Sequence, residues 1–365
     1  MRILAIDIGT GTQDILLFDS SRNLENCVKM VMPSATAIVG QRIDAATKRG
    51  VAVLLTGATM GGGPSSWAVD RHIKAGFKVY ATPDAARTLN DDLEEVARYG
   101  VTVLSEDEAT RLPESVERIQ LRDLDLAAVR KALEAFQVDS RFDGVAIATL
   151  DHGAAPPGVS DRTFRFDHMR RVVEGRNELE AFVYLPHELP NYLTRMKAVA
   201  QCMDIYAPLV LLDTGPAAAM GALEDGQVAQ REECLIANLG NMHTLAFHLK
   251  GRSIQGLFEH HTGHLSTESL DGMISRLAAG TLTNEEIFGD HGHGCYIINT
   301  NGVVPLPLLA VTGPRRGLLA SSTLKPYFAA PHGDMMLSGC FGLVRGCAAK
   351  MPEWKEEIEK ALSQV

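Results

Sequence analysis

Two segments of this chain are written to one plan, and that repetition constrains the fold more than any other feature. Residues 3–18 read ILAIDIGTGTQDILLF, and residues 234–249 read CLIANLGNMHTLAFHL. Each runs from an apolar strand to an acidic or amide residue, then x-Gly, a small or polar turn, and a second apolar strand. Asp7-x-Gly9 thus matches Asn238-x-Gly240. Two such hairpins predict two lobes of similar fold. The length of 365 residues suits two domains at roughly 150 residues each.

Strand and helix patterns alternate along the rest of the chain, which argues for an α/β fold. Strands are expected at 2–9, 15–19, 51–56, 77–81, 144–149, 209–213, 234–238, 243–249, 253–258 and 306–312. A last strand and glycine turn are expected at 335–342. Leu126, Val129, Leu133 and Phe136 share one helical face behind Asp123, a candidate N-cap. Small residues make a helix of 216–224, apolar spacing predicts another at 269–279, and Pro352 opens a C-terminal helix. No Pro/Ser linker marks a boundary. The expected division is 1–207 for the first lobe and 208–365 for the second.

A net charge of −10 without any Lys/Arg block argues against nucleic acid, which needs a basic face. The opening MRILAIDIGTGT lacks a long apolar signal core, and no run approaches the ~20 apolar residues of a membrane span. A cytoplasmic protein away from membranes is expected. Cysteines 27, 202, 234, 295, 340 and 347 are scattered and none forms CxxC. A four-thiolate zinc or iron–sulfur site is therefore not indicated, and reduced core thiols are expected.

The first turn carries the clearest chemistry. Gly9 and Gly11 free the backbone for close approach to a ligand, and the amides of 9–12 with the Thr10 and Thr12 hydroxyls suit phosphate oxygens. Asp7, ending the strand, suits Mg²⁺. Neither GxxxxGK[ST] nor a helix-opening GxGxxG is present. A glycine turn without a ligand is the alternative.

Histidines are the second signal, with seven of twelve between 243 and 293. His260, His261 and His264 sit in EHHTGH, and His291, His293 and Cys295 follow in DHGHGC. Such residues ligate zinc or iron, bind substrate, or cap turns. His260, His261 and His293 are taken as substrate candidates, with a metal site in the 260–295 cluster as the alternative. Asp151 follows a strand, where a carboxylate faces the crevice of an open α/β sheet, and is a candidate base or a turn cap. Asp213 competes with it. The loop TGATMGGGPS (56–65) is a substrate-loop candidate, with Ser65 or Ser66 capping the next helix. Arg315, beside Arg316, is a candidate carboxylate or phosphate ligand. Met335 and Met336 read as core.

Asp7-Ile-Gly9-Thr10-Gly11-Thr12 resembles the first phosphate hairpin of the superfamily of actin, acetate and sugar kinases and heat-shock ATPases. Asn238-Leu-Gly240-Asn241-Met-His-Thr244 resembles its second phosphate hairpin, with Asn238 where Asp is usual. Thr214-Gly-Pro-Ala-Ala-Ala219 resembles a segment of its hydantoinase and oxoprolinase relatives. Met336-Leu-Ser-Gly339-Cys-Phe-Gly342 resembles its adenosine-side turn. The four occur in order over nearly the whole chain. The resemblance implies a two-lobed, ribonuclease H-like α/β fold with a central cleft. It implies ATP and Mg²⁺ as ligands, with Gly9, Thr10, Gly11, Thr12, Asn238, Gly240, Asn241, Thr244 and Gly339 around the nucleotide. Asp7 would be catalytic and hold the metal, and Asp151 would be the base. The expected activity is phosphoryl transfer or ATP hydrolysis on a small-molecule substrate or a protein client, with a homodimer as an open alternative. Asn238 also keeps a non-catalytic nucleotide-binding protein in view.

Phe258-Glu-His-His-Thr262, Gly292-His-Gly294 and Pro331-His-Gly-Asp-Met-Met336 resemble a prokaryotic family labelled pyruvate formate-lyase activating enzyme. A radical activase holds its cluster on CxxxCxxC, and the chain has no such spacing.

Overall fold

The computed structural model describes residues 1–203, 207–300, 302 and 305–363. In chain order its strands are β1 (Arg2–Ile8), β2 (Thr12–Asp19), β3 (Val28–Pro33), β4 (Val53–Gly57), β5 (Val79–Ala81), β6 (Val101–Val103), β7 (Glu117–Leu121), β8 (Gly144–Thr149), β9 (Val183–Tyr184), β10 (Leu209–Leu212), β11 (Glu233–Leu239), β12 (His243–Lys250), β13 (Ser253–His261), β14 (Gly294–Ile297), β15 (Leu308–Thr312) and β16 (Tyr327–Phe328).

Two six-stranded sheets carry the repeat. Their orders are β3-β2-β1-β8-β10-β9 and β14-β13-β12-β11-β15-β16. β1 runs antiparallel to β2 and parallel to β8, just as β11 runs antiparallel to β12 and parallel to β15. Each lobe is thus an antiparallel meander extended by parallel strands, and the cleft opens where the two hairpin turns meet. This is the two-lobed α/β arrangement the resemblance implied. β8 is buried along its whole length, which explains its unbroken apolar run.

Helices Thr214–Ala222 and Ser338–Lys350 fill the space between the sheets. Every residue of the first from Gly215 onward is buried, so its small-residue composition serves close approach rather than amphipathicity. A methyl group on Gly342 would overlap the Ala217 carbonyl, and one on Gly221 would overlap the Ser338 carbonyl. The two backbones therefore touch where they cross.

Four expectations need correction. Residues 335–342 form a 3₁₀ turn and the start of a helix, not a strand, because apolar runs this short do not distinguish the two. β10 pairs with β8 in the first sheet, so the expected break at 207/208 does not separate the sheets. The residues just before that break, 204–206, lie outside the described ones, and the chain crosses between lobes along Thr214–Ala222. The first half also contains an additional unit: a fully parallel sheet, β6-β5-β4-β7, with its own core around Val39, Ile43, Val53, Leu55 and Ile119. Finally, Asp125 rather than Asp123 caps helix Leu126–Ala135, and Phe136 is exposed beyond it.

Candidate functional site

The two hairpin turns close in the same way. The Gly9 N–H donates to the Thr12 carbonyl at 2.9 Å, and the Gly240 N–H donates to the His243 carbonyl at 2.9 Å. Ser34 holds the first turn from behind: its N–H donates to the Gly11 carbonyl and its hydroxyl to the Thr10 carbonyl. Because a trans peptide points its N–H opposite its C=O, the amides of Gly11 and Thr12 are directed away from Ser34. A methyl group on Gly11 would come within 2.8 Å of Asn241 Nδ2, so the turns face each other at close range. Between them lies a cleft with about 890 Å³ of empty space, lined by Asp7, Gly9, Thr10, Thr12, Asn238, Gly240 and Asn241. Pro314, Met335 and Met336 form an apolar wall, so the two methionines read as core face the cleft instead.

Asp7 and Asp14 are register partners across β1 and β2. Both are buried, and one Oδ1 on each lacks a hydrogen-bond partner. Burial, reinforced by the nearby Asp14 and Asp213 carboxylates, holds Asp7 well above the usual carboxylate range. Burial lifts Asp14 to about 7. A methyl group on Gly339 would overlap the Asp7 carboxylate, so Gly339 lets the N-terminus of helix Ser338–Lys350 approach Asp7. Orphaned carboxylate oxygens beside a phosphate-sized turn are what a small hard dication satisfies, so Asp7 fits the Mg²⁺ role.

Arg165, fully buried on helix Asp161–Gly175, ties the floor together. Its guanidinium donates to both Asp213 oxygens, to Glu259 Oε2 at 3.1 Å and to the Asp151 carbonyl at 3.0 Å. Asp213 follows β10 in one lobe and Glu259 sits on β13 in the other, so one side chain bridges both. Asp213 is thereby committed to an ion pair and is not a free base. On the same helix, His168 accepts or donates one hydrogen bond with Tyr192 Oη at 3.1 Å, and burial pushes it down to about 3. Its folded-state value lies below the unfolded 6.5, so its stabilising contribution is full above pH 6.5 and is lost as pH falls toward 3. Denaturant midpoints followed from pH 7 to pH 4 should fall less steeply in His168→Gln than in the native protein.

A second cavity opens from the first through Gly9, Thr10, Leu150, Arg195, Met242 and His243. Its floor carries His152, His243, His261 and His293, and its opposite wall carries residues 61–63 and 88–91. The glycine loop after β4 is therefore at a cavity, as expected, although Gly63 rather than a serine caps helix Pro64–Lys74. Asp123 accepts from Gly61 N–H and pairs with Arg195, tethering that loop to the first lobe.

The residues named from sequence sort by strand face. β13 runs on to His261, beyond the expected end at 258. With a two-residue period, Glu259 and His261 face the cavities, while His260 and its register partner Thr244 turn to the other side. His260 is fully buried beside Asp290, and Thr244 bonds Thr262, so neither lines a cavity. Of the 260–295 segment, His261 and His293 come together at the second cavity, their ring centroids 4.6 Å apart, whereas Cys295 turns its thiol to the Leu282 carbonyl and lines neither cavity. The Arg315 side chain is exposed outside the cleft lining, and only its amide, bonded to the Leu239 carbonyl, supports the second turn. Asp151 lines the second cavity, but its two oxygens accept from the Gly153 and Met196 amides, the turn-cap alternative. Burial raises it to about 6. His243 and His152 escaped the sequence reading. His152 lies outside the histidine-rich segment and His243 stands at its edge, where β12 begins, and only pairing of the lobes brings them to His293.

Among the described residues no helix is long and apolar enough to cross a membrane. The model of the family described as "Putative pyruvate format-lyase activating enzyme (DUF1786)" matches residues 60–318. No curated protein matches the chain. Among solved structures, a ROK family transcriptional regulator, a homolog of the E. coli MLC protein, shares 10% identity over 70% of this chain, with a TM-score of 0.27. The chain spans only 38% of that regulator's length. The ethanolamine utilization protein EutJ from Carboxydothermus hydrogenoformans shares 12% identity, covering 94% of this chain and 89% of its own, with a TM-score of 0.32. The ROK hexokinase from Thermus thermophilus shares 14% identity, covering 97% of this chain and 100% of its own, with a TM-score of 0.28. These scores are low, and the lobe architecture stands on the strand order and pairings.

Proposed function

We propose, from the premise that the chain belongs to the family whose model spans residues 60–318, that the cleft binds ATP with Mg²⁺ and serves phosphoryl transfer or ATP hydrolysis. The observation that carries this reading is the pair of glycine turns, closed by matching 2.9 Å bonds and facing each other beside Asp7. In this reading the turn amides and the Thr10 and Thr12 hydroxyls bind phosphate oxygens, and Met335, Met336 and Pro314 cover the nucleoside. Asp7 holds Mg²⁺, whose charge offsets that of the phosphates. The chain's own work is positioning: with no free cation among the cleft's lining residues, backbone dipoles supply most of the stabilisation of developing charge. The adjoining cavity under residues 61–63 is the place for an acceptor, an unidentified small molecule.

Two further points shape the activity. Asn238 stands where a second carboxylate would add charge near the metal, and an amide does not replace that charge. Nucleotide binding with slow or absent turnover is therefore the second reading. Calorimetric titration of metal-stripped protein with ATP, with and without Mg²⁺, tests binding directly. Mg²⁺-dependent binding is expected. Asp7→Ala should weaken it by about tenfold or more, the effect of losing roughly 1.5–3 kcal/mol with one charged contact. Unchanged affinity in that variant would remove the first hairpin from the site.

A further inference from the structure

His152, His243 and His293 come from three separate elements and both lobes. His152 lies two residues beyond Leu150 in the loop after β8, His243 opens β12, and His293 immediately precedes β14. One ring nitrogen of each lies within 4.8 Å of the others. Their ring centroids are 5.1 Å (His152–His243), 5.6 Å (His152–His293) and 4.8 Å (His243–His293) apart. Three imidazoles rarely converge without a reason, since as neutral rings they gain little from one another and as cations they repel.

Hydrogen bonding around the trio is unbalanced. His293 is 1% exposed, and neither its Nδ1 nor its Nε2 has a partner. A buried polar atom without a partner is costly, and a ring with two such atoms needs a ligand. His243 is oriented in a way that serves one: Nδ1 sits 3.1 Å from Glu259 Oε1. Glu259 also accepts from the Arg165 guanidinium, so it stands as the acceptor in both contacts, and His243 donates from Nδ1 and leaves the Nε2 lone pair free. A carboxylate behind a ligating histidine fixes its tautomer and raises its basicity. His152 is fixed by its loop, where Asp151 accepts the Gly153 amide and Gly153 takes a positive φ of 74°. Glu259 is the carboxylate that touches the trio directly, and it shares the Arg165 guanidinium with Asp213.

We propose that His152, His243 and His293 bind a divalent transition-metal ion of the zinc or iron(II) class, with its open coordination position facing the second cavity. Imidazole-only ligation suits these metals and not Mg²⁺ or Ca²⁺, which take oxygen donors. Three protein ligands with one position open is the pattern of a catalytic rather than a structural site. Bonds of about 2.1 Å bring tetrahedral nitrogens to about 3.4 Å from one another, so side-chain rotations of roughly 1 Å complete the site. The ion would stand beside the acceptor cavity and hold an oxygen ligand of an acceptor there, with His261, whose ring lies 4.6 Å from that of His293, next to the open position. It would also join the two lobes. This site is separate from the Asp7 site and stands whether or not the cleft binds nucleotide.

Metal-stripped full-length protein titrated with cobalt(II), and separately with zinc(II), tests the proposal through bound stoichiometry and the visible absorption of cobalt. One tightly bound equivalent is expected. His152→Gln and His293→Gln should each weaken binding at least about tenfold, whereas His260→Gln and Asp7→Ala should retain it. Retention in Asp7→Ala distinguishes this ion from Mg²⁺ at the nucleotide. If His293→Gln does not fold, the partly exposed His152→Gln carries the comparison. Absence of saturable cobalt or zinc binding in the native protein, or unchanged affinity in a folded His152→Gln, would overturn the assignment.

Discussion

Arg165→Met is expected to destabilise the protein by about 3–5 kcal/mol, read as a lower denaturant midpoint. The reason is the pair of carboxylates left behind. Asp213 and Glu259 are buried, and Arg165 is the cation that contacts both. Removing it strands two buried carboxylates without their cation, and the interaction spans the two lobes, so their relative placement loosens as well. The same logic predicts a partial recovery. Arg165→Met combined with Glu259→Leu should be more stable than Arg165→Met alone, because one stranded carboxylate has gone with its partner. A loss below about 1 kcal/mol in the single variant would mean that water or rearrangement satisfies the carboxylates, and the clamp would not hold the lobes.

Gly342→Val should have an effect at least as large, about 4 kcal/mol or more, or prevent soluble expression altogether. Even a methyl group there overlaps the Ala217 carbonyl, a backbone atom that moves only if helix Thr214–Ala222 moves. That helix and Ser338–Lys350 pack between both sheets, so a shift propagates to β1 and β10 and to the Asp7 side of the cleft. Gly272→Ala provides the contrast. It lies inside helix Thr267–Ala278 with open space around it, and alanine there should stabilise by roughly 0.5–1 kcal/mol through helix propensity alone. Thermal melts of the two variants side by side separate backbone crossing from conformational freedom. Similar melting temperatures for Gly342→Val and the native protein would show that the crossing has slack.

The two turns that line the candidate site were legible in the sequence because their information is local. Asp7, Gly9 and Thr12 belong to one turn, as do Asn238, Gly240 and Asn241, and the constraint on each is a short-range one of backbone conformation. His260 and Thr244 were misplaced because side-chain direction depends on where a strand ends. Extending β13 by three residues assigns Glu259 and His261 to the cavity and His260 to the opposite face. Asp123 was mistaken for a cap because an aspartate near a helix start has that local role available, whereas its partner, Arg195, is 72 residues away.

From its sequence alone the chain determined two glycine hairpins, an α/β alternation, and a helix of small residues able to lie against another backbone. These are properties of dihedral freedom, period and side-chain volume, and they need no knowledge of distant neighbours. The tertiary structure decided which strands share a sheet, that 209–212 closes the first one, and that a parallel unit stands between β3 and β8. It also decided the chemistry at the cleft floor. Arg165 meets Asp213 and Glu259, and His152 meets His243 and His293, only because two lobes related by repetition are packed about crossed helices. Contacts between residues so far apart follow from burial and pairing across the whole chain, and no local pattern encodes them.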